Sequence, residues 1–139
     1  MYILDTDVLS ELRKVRAGRA DPGIAQWAER TPSALLFISV ITIHELEHGV
    51  LLKERSDAAQ GALLREWLDR SVTDAFRERV VPVDVRVARQ AAALHVPNPA
   101  PFRDALIGAT AMVNDMAVVT GNSTDFERFD ELEVINPWS

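Results

Sequence analysis

The chain has 139 residues, of which 47% are hydrophobic, and this length fits one domain (1–139). It contains no cysteine, which excludes disulfides and thiolate zinc sites. No apolar run approaches the ~20 residues of a membrane span, and the N-terminal stretch lacks the basic region of a signal peptide. The net charge of −6 argues against nucleic-acid binding through bulk positive charge, and we expect a cytoplasmic protein with no membrane partner.

The predicted elements of the first two thirds of the chain alternate between strands and helices. Short apolar runs predict buried strands, whereas capped or amphipathic stretches predict helices. In chain order these are strand Tyr2–Leu4, helix Val8–Lys14, a helix that opens at Asp21-Pro22 and runs to about Glu29, strand Leu35–Ser39, a helix from about Ile41 to Arg55, a helix capped by Asp57 with Leu63, Leu64, Trp67 and Leu68, strand Val80–Val83, and a helix capped by Asp84 with Val87, Ala91 and Leu94.

The last third continues the same alternation. Three prolines in Val96–Pro101 break the pattern, and Asp104 starts the next predicted helix. Ala117–Thr120 is the fourth predicted strand, followed by a turn at Gly121–Thr124 and a last short strand at Glu133–Ile135. Strands that alternate with helices imply right-handed crossovers and a mainly parallel sheet, so the predicted fold class is α/β.

Four carboxylates fall where such a sheet places its active site, beyond the carboxyl ends of the strands. They are Asp5, Glu45, Asp104 and Asp125. Each alone has an ordinary alternative as a turn, cap or surface acid, but all four can face one rim of the predicted sheet. Clustered carboxylates repel one another unless a cation lies between them, and all-oxygen ligation suits Mg²⁺ or Mn²⁺.

A competing motif overlaps this set. His44-Glu45-Leu46-Glu47-His48 matches H-E-x-x-H, which places two imidazoles one helical turn apart to bind zinc and uses the glutamate as general base. A zinc metallopeptidase therefore stays open as an alternative. The third histidine, His95, lies in no matching motif, and the predicted parallel sheet is unusual for that class of enzyme.

A basic, acid-free stretch contains Arg13, Lys14, Arg16 and Arg19. These side chains are candidates for contacts with phosphate groups, and a solvated basic loop is the ordinary alternative.

Four segments and the ending of the chain carry a family resemblance that runs nearly from end to end. They are Tyr2–Leu12, Ser39–Leu46 with Gly49, Asp104–Ala111, Val118–Asn122 with Asp125-Phe126, and Asn136-Pro137-Trp138. With these segments the chain resembles the PIN-domain ribonucleases, in particular the VapC and FitB-like toxins of bacterial toxin–antitoxin pairs.

The resemblance implies a three-layer α/β/α sandwich with a parallel sheet of four or five strands. It implies an endoribonuclease that uses Mg²⁺ or Mn²⁺ to hydrolyse RNA phosphodiester bonds. It assigns Thr120 or Asn122 to orienting a ligand or the attacking water. The metal ligands that it implies are Asp5, Glu45, Asp104 and Asp125.

Two positions depart from the common family pattern, since many members have asparagine at the position of Asp7 and aspartate at the position of Asn122. The resemblance further implies a homodimer and a small cognate antitoxin whose C-terminal segment covers the site, with a larger toxin–antitoxin assembly as an extension. Helices around Trp27 and Trp67 are candidates for docking that segment. A PIN-like domain that binds RNA or protein without cutting is the third interpretation.

Overall fold

A fully parallel sheet of five short strands forms the centre of the computed structural model, which describes residues 1–139. The strands are β1 (Tyr2–Leu4), β2 (Leu36–Ser39), β3 (Val80–Val81), β4 (Ala117–Val119) and β5 (Val134–Ile135). Their order is β3-β2-β1-β4-β5, so the chain winds outward from β1 through β2 and β3 and then continues on the other side of β1. The carboxyl ends of β1 and β4 therefore form the switch point at which open α/β sheets bind ligands.

Seven α-helices cover the two faces of the sheet. They are α1 (Thr6–Leu12), α2 (Pro22–Arg30), α3 (Val40–Ser56), α4 (Ala58–Glu66), α5 (Val85–Ala93), α6 (Phe102–Val113) and α7 (Ser123–Glu127). A short 3₁₀ turn at Ser33–Leu35 precedes β2, and α4 continues into a π-helical segment at Trp67–Asp74. None of these helices is both long enough and apolar enough to cross a membrane.

Two buried apolar layers hold the helices to the sheet. Successive strand residues point to opposite faces, so Leu4 packs with α1–α4 while Ile3 packs with α6 and α7. On β4, Val119 and Val118 divide between the same two layers. This arrangement confirms the predicted α/β/α sandwich and its parallel sheet.

The predicted helix caps at three aspartates are confirmed. Asp21 accepts hydrogen bonds from the backbone amides of Gly23 and Ile24, Asp57 accepts one from Gln60, and Asp84 accepts one from Val87. Each cap satisfies amides that the first turn of a helix leaves without partners, which is why aspartate at these positions predicts a helix start.

Several predicted boundaries are wrong by a few residues. The first helix begins at Thr6 and ends at Leu12, because the Asp5 carboxylate itself accepts from the Thr6 amide and caps it. The sixth helix begins at Phe102, two residues before Asp104. Part of the predicted turn at 121–124 belongs to α7, and β3 ends at Val81, two residues before the predicted end.

The two tryptophans whose helices are candidates for docking the antitoxin segment differ in burial. Trp27 is only 6% exposed and packs edge-to-face on Tyr2 with ring centroids 5.4 Å apart, so it belongs to the core. Trp67 is partly buried and lines a surface groove beside α1. Trp27 itself is therefore a core residue, whereas Trp67 faces a groove, and docking by surface apolar residues on the two helices remains a prediction.

Two helical glycines offer a matched test of how closely α3 and α4 pack. A Cβ at Gly61 would lie 2.5 Å from the Glu54 Cα, whereas a Cβ at Gly49 would meet nothing within 4 Å. We expect Gly61→Ala to lower the free energy of unfolding by about 1–3 kcal/mol because the helices must separate. Gly49→Ala should raise it by about 0.5–1 kcal/mol through helix propensity.

Urea denaturation of both variants measures this difference. A stable Gly61→Ala variant would show that the α3–α4 approach is looser than the backbone indicates.

Candidate active site at the carboxyl edge of the sheet

A pocket of about 720 Å³ lies at the switch point between β1 and β4. Its lining is dominated by oxygen-bearing side chains, and four of them are carboxylates. These lining residues include Asp5, Asp7, Glu45, Asp104, Ser10 and Asn122. The pocket therefore brings together residues from the first, second, third and fourth predicted motifs; we call it the acidic pocket.

The pairing of β1 with β4 fixes the centre of the acidic pocket. Leu4 pairs with Val119, so Asp5 and Thr120 leave the two strands side by side. The Thr120 hydroxyl donates to the Asp5 Oδ2 atom at 2.8 Å, and the Thr120 side chain is fully buried. In turn the Asn122 backbone amide donates to the Thr120 hydroxyl oxygen at 2.9 Å. Thr120 thus supports Asp5 from behind rather than lining the pocket itself.

Glu45 reaches the same pocket from α3. The Thr6 hydroxyl donates to the Glu45 Oε1 atom at 3.2 Å, and Arg103 donates to the Oε2 atom at 3.4 Å. Ser39 caps α3 by accepting from the Ile41 amide, which fixes how the helix leaves β2. Glu45 is therefore oriented from both sides of the pocket.

Asp7 is held by a turn that follows β4. Its Oδ2 atom accepts from the Gly121 amide at 2.9 Å, while its Oδ1 atom is buried and has no hydrogen-bond partner. A Cβ at Gly121 would lie 2.9 Å from the same Oδ2 atom and 3.0 Å from the ring of Trp138. Glycine is therefore required for the close contact of this turn with Asp7 and Trp138.

Burial, together with neighbouring negative charge, raises the pKa of three carboxylates of the pocket, Asp5, Asp7 and Asp104. Burial, together with the charges of Asp5, Asp125, Glu45 and Asp7, raises the pKa of Asp104 to about 6. Burial and the charge of Asp5 raise the pKa of Asp7 to about 6. Burial also raises the pKa of Asp5, against the lowering effect of the Thr120 hydrogen bond. A site with such repulsion favours a divalent cation over further negative charge.

The remaining predicted residues are less central. Asp125 lies exposed on α7 and does not line the pocket, although its charge raises the pKa of both Asp5 and Asp104. As the side chains stand, no three His, Asp or Glu groups converge closely enough to hold one metal ion. Ligation by the four predicted carboxylates therefore remains a proposal.

The H-E-x-x-H motif does not form a zinc site. His44 and His48 are exposed and line a shallow apolar depression with Val40 and Leu51, whereas Glu45 lines the acidic pocket. The imidazoles and the glutamate thus lie on different surfaces of α3, and the sequence matches the motif by chance.

Besides Asp7, five lining residues were not predicted as site residues: Thr6, Ser10, Pro101, Phe102 and Arg103. Ser10 lies on α1, one helical turn after Thr6, and Phe102 and Arg103 open α6 directly before Asp104. For Phe102 and Arg103 the only signal was their position, because residues just before a functional acid at the start of a helix face the same rim as that acid.

The basic stretch begins beside this site rather than in it. A groove of about 400 Å³ shares Thr6, Ser10 and Glu45 with the acidic pocket and extends along α1 to Arg13 and Lys14. We call it the α1 groove. The Arg13 guanidinium lies 5.9 Å from the centre of the Trp67 ring, while Lys14 is paired with Glu11 at 3.0 Å. Contact of these residues with RNA remains a prediction.

Comparisons with known proteins agree with this geometry. The family described as PIN domain matches residues 2–132. The VapC ribonuclease Y4jK of Sinorhizobium fredii is 31% identical over 99% of this chain and 98% of that protein. Toxin FitB of Neisseria gonorrhoeae is 30% identical over 99% of each chain. The crystal structure of FitAcB from Neisseria gonorrhoeae superposes with a TM-score of 0.87, at 27% identity over 99% of both chains.

The raised pKa of Asp104 predicts a pH-dependent gain in stability when its charge is removed. A carboxyl whose pKa is higher in the folded than in the unfolded state destabilises the fold progressively as pH rises from about 4 to about 6. Without metal, Asp104→Asn should therefore raise the free energy of unfolding at pH 7 by about 1 kcal/mol, allowing for partial solvent screening. The gain should vanish near pH 4.

Denaturation in EDTA at the two pH values measures this effect. Asp130→Asn, which changes an exposed acid outside the pocket, is the matched control and should leave stability unchanged at both. A destabilised Asp104→Asn variant at pH 7 would contradict the repulsion inferred here.

Proposed function

The chain belongs to the PIN-domain family, and from this premise we propose that it is a metal-dependent endoribonuclease toxin that hydrolyses RNA phosphodiester bonds. The relative from Sinorhizobium fredii is named a VapC ribonuclease, and the one from Neisseria gonorrhoeae is named a toxin. The observation that carries the proposal is the acidic pocket itself, in which Asp5, Asp7, Glu45 and Asp104 face one cavity at the switch point of a parallel sheet.

The residues of the acidic pocket fit Mg²⁺ or Mn²⁺. Their donor atoms are all oxygens, which these hard cations prefer over the imidazole and thiolate ligands of zinc. The raised pKa of Asp7 and Asp104 reflects burial and the repulsion of neighbouring acids, and a cation would offset both. The buried Oδ1 atom of Asp7, which has no partner, is a further free acceptor at the same place. In this proposal Asp5, Glu45, Asp104 and Asp125 hold the cation.

Each side chain then has a definite part in hydrolysis. Bound in the pocket, the cation would neutralise a phosphate oxygen and lower the pKa of a nearby water. Thr120 holds the Asp5 carboxylate in place through its buried hydroxyl. Asn122 also lines the pocket, and in this proposal its side-chain amide orients the attacking water. Thr6 fixes the Glu45 carboxylate on the opposite wall.

A polyanion can approach this acidic site because basic groups lie at its edge. Arg103 lines the pocket and its side chain is 58% exposed. Its contact with Glu45 is long, at 3.4 Å, so Arg103 can exchange that partner for a phosphate. Arg13 lies further along the α1 groove. Such contacts would position the RNA backbone without reading its sequence.

We further propose that a small cognate antitoxin inhibits the protein, and that an extended or helical segment of the antitoxin binds in the α1 groove. The groove offers apolar side chains from α3 and α4 together with Trp67, and it opens directly into the acidic pocket. A segment bound there would reach Glu45 and block access to the pocket. Dimerisation of the chain, expected from the family resemblance, remains a prediction.

Removing one acid of the pocket should abolish cleavage. We expect Glu45→Gln and Asp104→Asn to lower the rate of RNA cleavage by more than about 100-fold, because each is proposed to contact the cation directly. The measurement is cleavage of a total RNA preparation with Mg²⁺ or Mn²⁺, with EDTA as the metal-free reference and circular dichroism as the check on folding.

His48→Ala is the control for that experiment, because His48 lies outside the acidic pocket. Its activity should equal that of the wild type. Loss of RNA cleavage in a folded His48→Ala variant would contradict the assignment of cleavage to the acidic pocket. RNA binding without cleavage by the wild type would favour the non-cutting PIN-like domain.

Neighbouring leucines on α4 provide a matched test of antitoxin docking. Leu64 lines the α1 groove, whereas Leu63 is 60% exposed and does not. We expect Leu64→Glu to prevent co-purification with a co-expressed candidate antitoxin, because a buried charge at the contact is costly. Leu63→Glu should leave the complex intact, and equal complex formation by both variants would place the antitoxin elsewhere.

A further inference from the structure

Phe102 is the one aromatic side chain that lines the acidic pocket. It is 72% exposed, opens α6 and lies two residues before Asp104. The other pocket-lining groups near it are charged or polar, with Arg103 as its immediate neighbour. A phenyl ring contributes nothing to holding a cation or a phosphate, so its place at the rim of this pocket needs another role.

The ring of Phe102 is held in position from behind. The His95 ring lies nearly parallel to it, with an interplanar angle of 18° and a centroid distance of 6.5 Å. His95 is itself fixed, because its Nδ1 atom accepts from the Ala100 amide at 3.1 Å. Pro101 precedes Phe102 and restricts the backbone at the helix start. The exposed phenyl is therefore supported on one side by the His95 ring.

A supported aromatic ring beside a phosphodiester-cleaving pocket suits one kind of ligand group, an unpaired nucleobase. Proteins that act on single-stranded RNA place bases on aromatic rings, and each such contact contributes about 1–3 kcal/mol without requiring a particular base. A base within a duplex is already stacked and paired, so it has no free face for the ring.

We propose that Phe102 stacks on one unpaired base next to the scissile phosphate and thereby positions that nucleotide for cleavage. The proposal rests on the ribonuclease function proposed above. Arg103, the next residue, lies where it can contact the phosphate of the stacked nucleotide, so the two side chains bind one nucleotide between them. The acids of the pocket then face the adjoining phosphodiester bond.

Substitutions at Phe102 separate stacking from simple apolar contact. With a short single-stranded RNA of mixed sequence, Phe102→Ala should lower kcat/KM by roughly tenfold, mainly through a higher KM. Phe102→Tyr retains the flat ring and should restore cleavage. Phe102→Leu retains apolar area without a ring face and should resemble Phe102→Ala.

Val85→Ala is the matched control. Val85 is also the first residue of its helix and is 73% exposed, but it does not line the acidic pocket. It should cleave like the wild type. All variants are compared by thermal denaturation, and an unchanged melting temperature excludes a general loss of structure.

Removal of the base from the RNA provides the second half of the test. Once the cleavage position is mapped, an abasic nucleotide is placed in turn on each side of it, and at one of the two positions it should slow the wild type as much as Phe102→Ala does. The same abasic RNA should slow Phe102→Ala no further, because the partner of the base is already absent. Equal loss in both proteins, or no loss in either, would overturn the stacking proposal.

A binding measurement distinguishes this failure from failure of the ribonuclease function. Fluorescence anisotropy of the same labelled RNA, in EDTA, reports affinity without cleavage. If the wild type cleaves the RNA and Phe102→Ala has the same KM and the same affinity as the wild type, only the stacking proposal is overturned. If the wild type does not cleave the RNA but binds it in a base-dependent way, and Phe102→Ala loses that binding, the ribonuclease function is overturned. The stacking of a base on Phe102 is then supported. Absence of both cleavage and base-dependent binding overturns both.

Discussion

The register of β1 against β4 is the constraint on which the site depends. Because Leu4 pairs with Val119, the next residues on the two strands are adjacent, and the Thr120 hydroxyl donates to the Asp5 carboxylate. A hydrogen bond to a charged group stabilises it by about 1.5–3 kcal/mol. Burial nevertheless dominates, since the pKa of Asp5 is raised rather than lowered. The sheet therefore holds an acid in a place that disfavours its charge, and the negative charge of Asp125 on α7 increases that cost.

Much of the fold could be predicted from local chemistry. Aspartate caps at Asp57 and Asp84 marked helix starts because their carboxylates satisfy free amides within the same turn. The errors in the predicted boundaries arose where one residue has two roles, or where tertiary contacts determine whether a helix forms. Asp5 both ends a strand region and caps the next helix, which moved the start of α1. The short α7 has only five residues, and Phe126 holds it by burial in the core, which no local pattern indicates.

The position of the site could be predicted only where the carboxyl ends of the strands could be predicted. Asp5, Glu45 and Asp104 could be placed on one rim because each follows or opens an element with a clear direction, whereas Asp125 lies on an unpredicted helix and remains outside the lining. Phe102 could not be recognised from sequence, since an apolar residue at a helix start is ordinarily a core residue and only the fold shows it exposed.

The contact between Trp138 and Gly121 has a practical consequence for handling the protein. Trp138 lies directly on the turn whose amide holds Asp7, so the segment after β5 forms part of the wall behind the acidic pocket. Met1 lies at the amino ends of the strands, at the opposite pole of the sheet. A purification tag or fluorescent fusion on the last residues would therefore disturb the catalytic edge, whereas one joined at Met1 leaves it untouched.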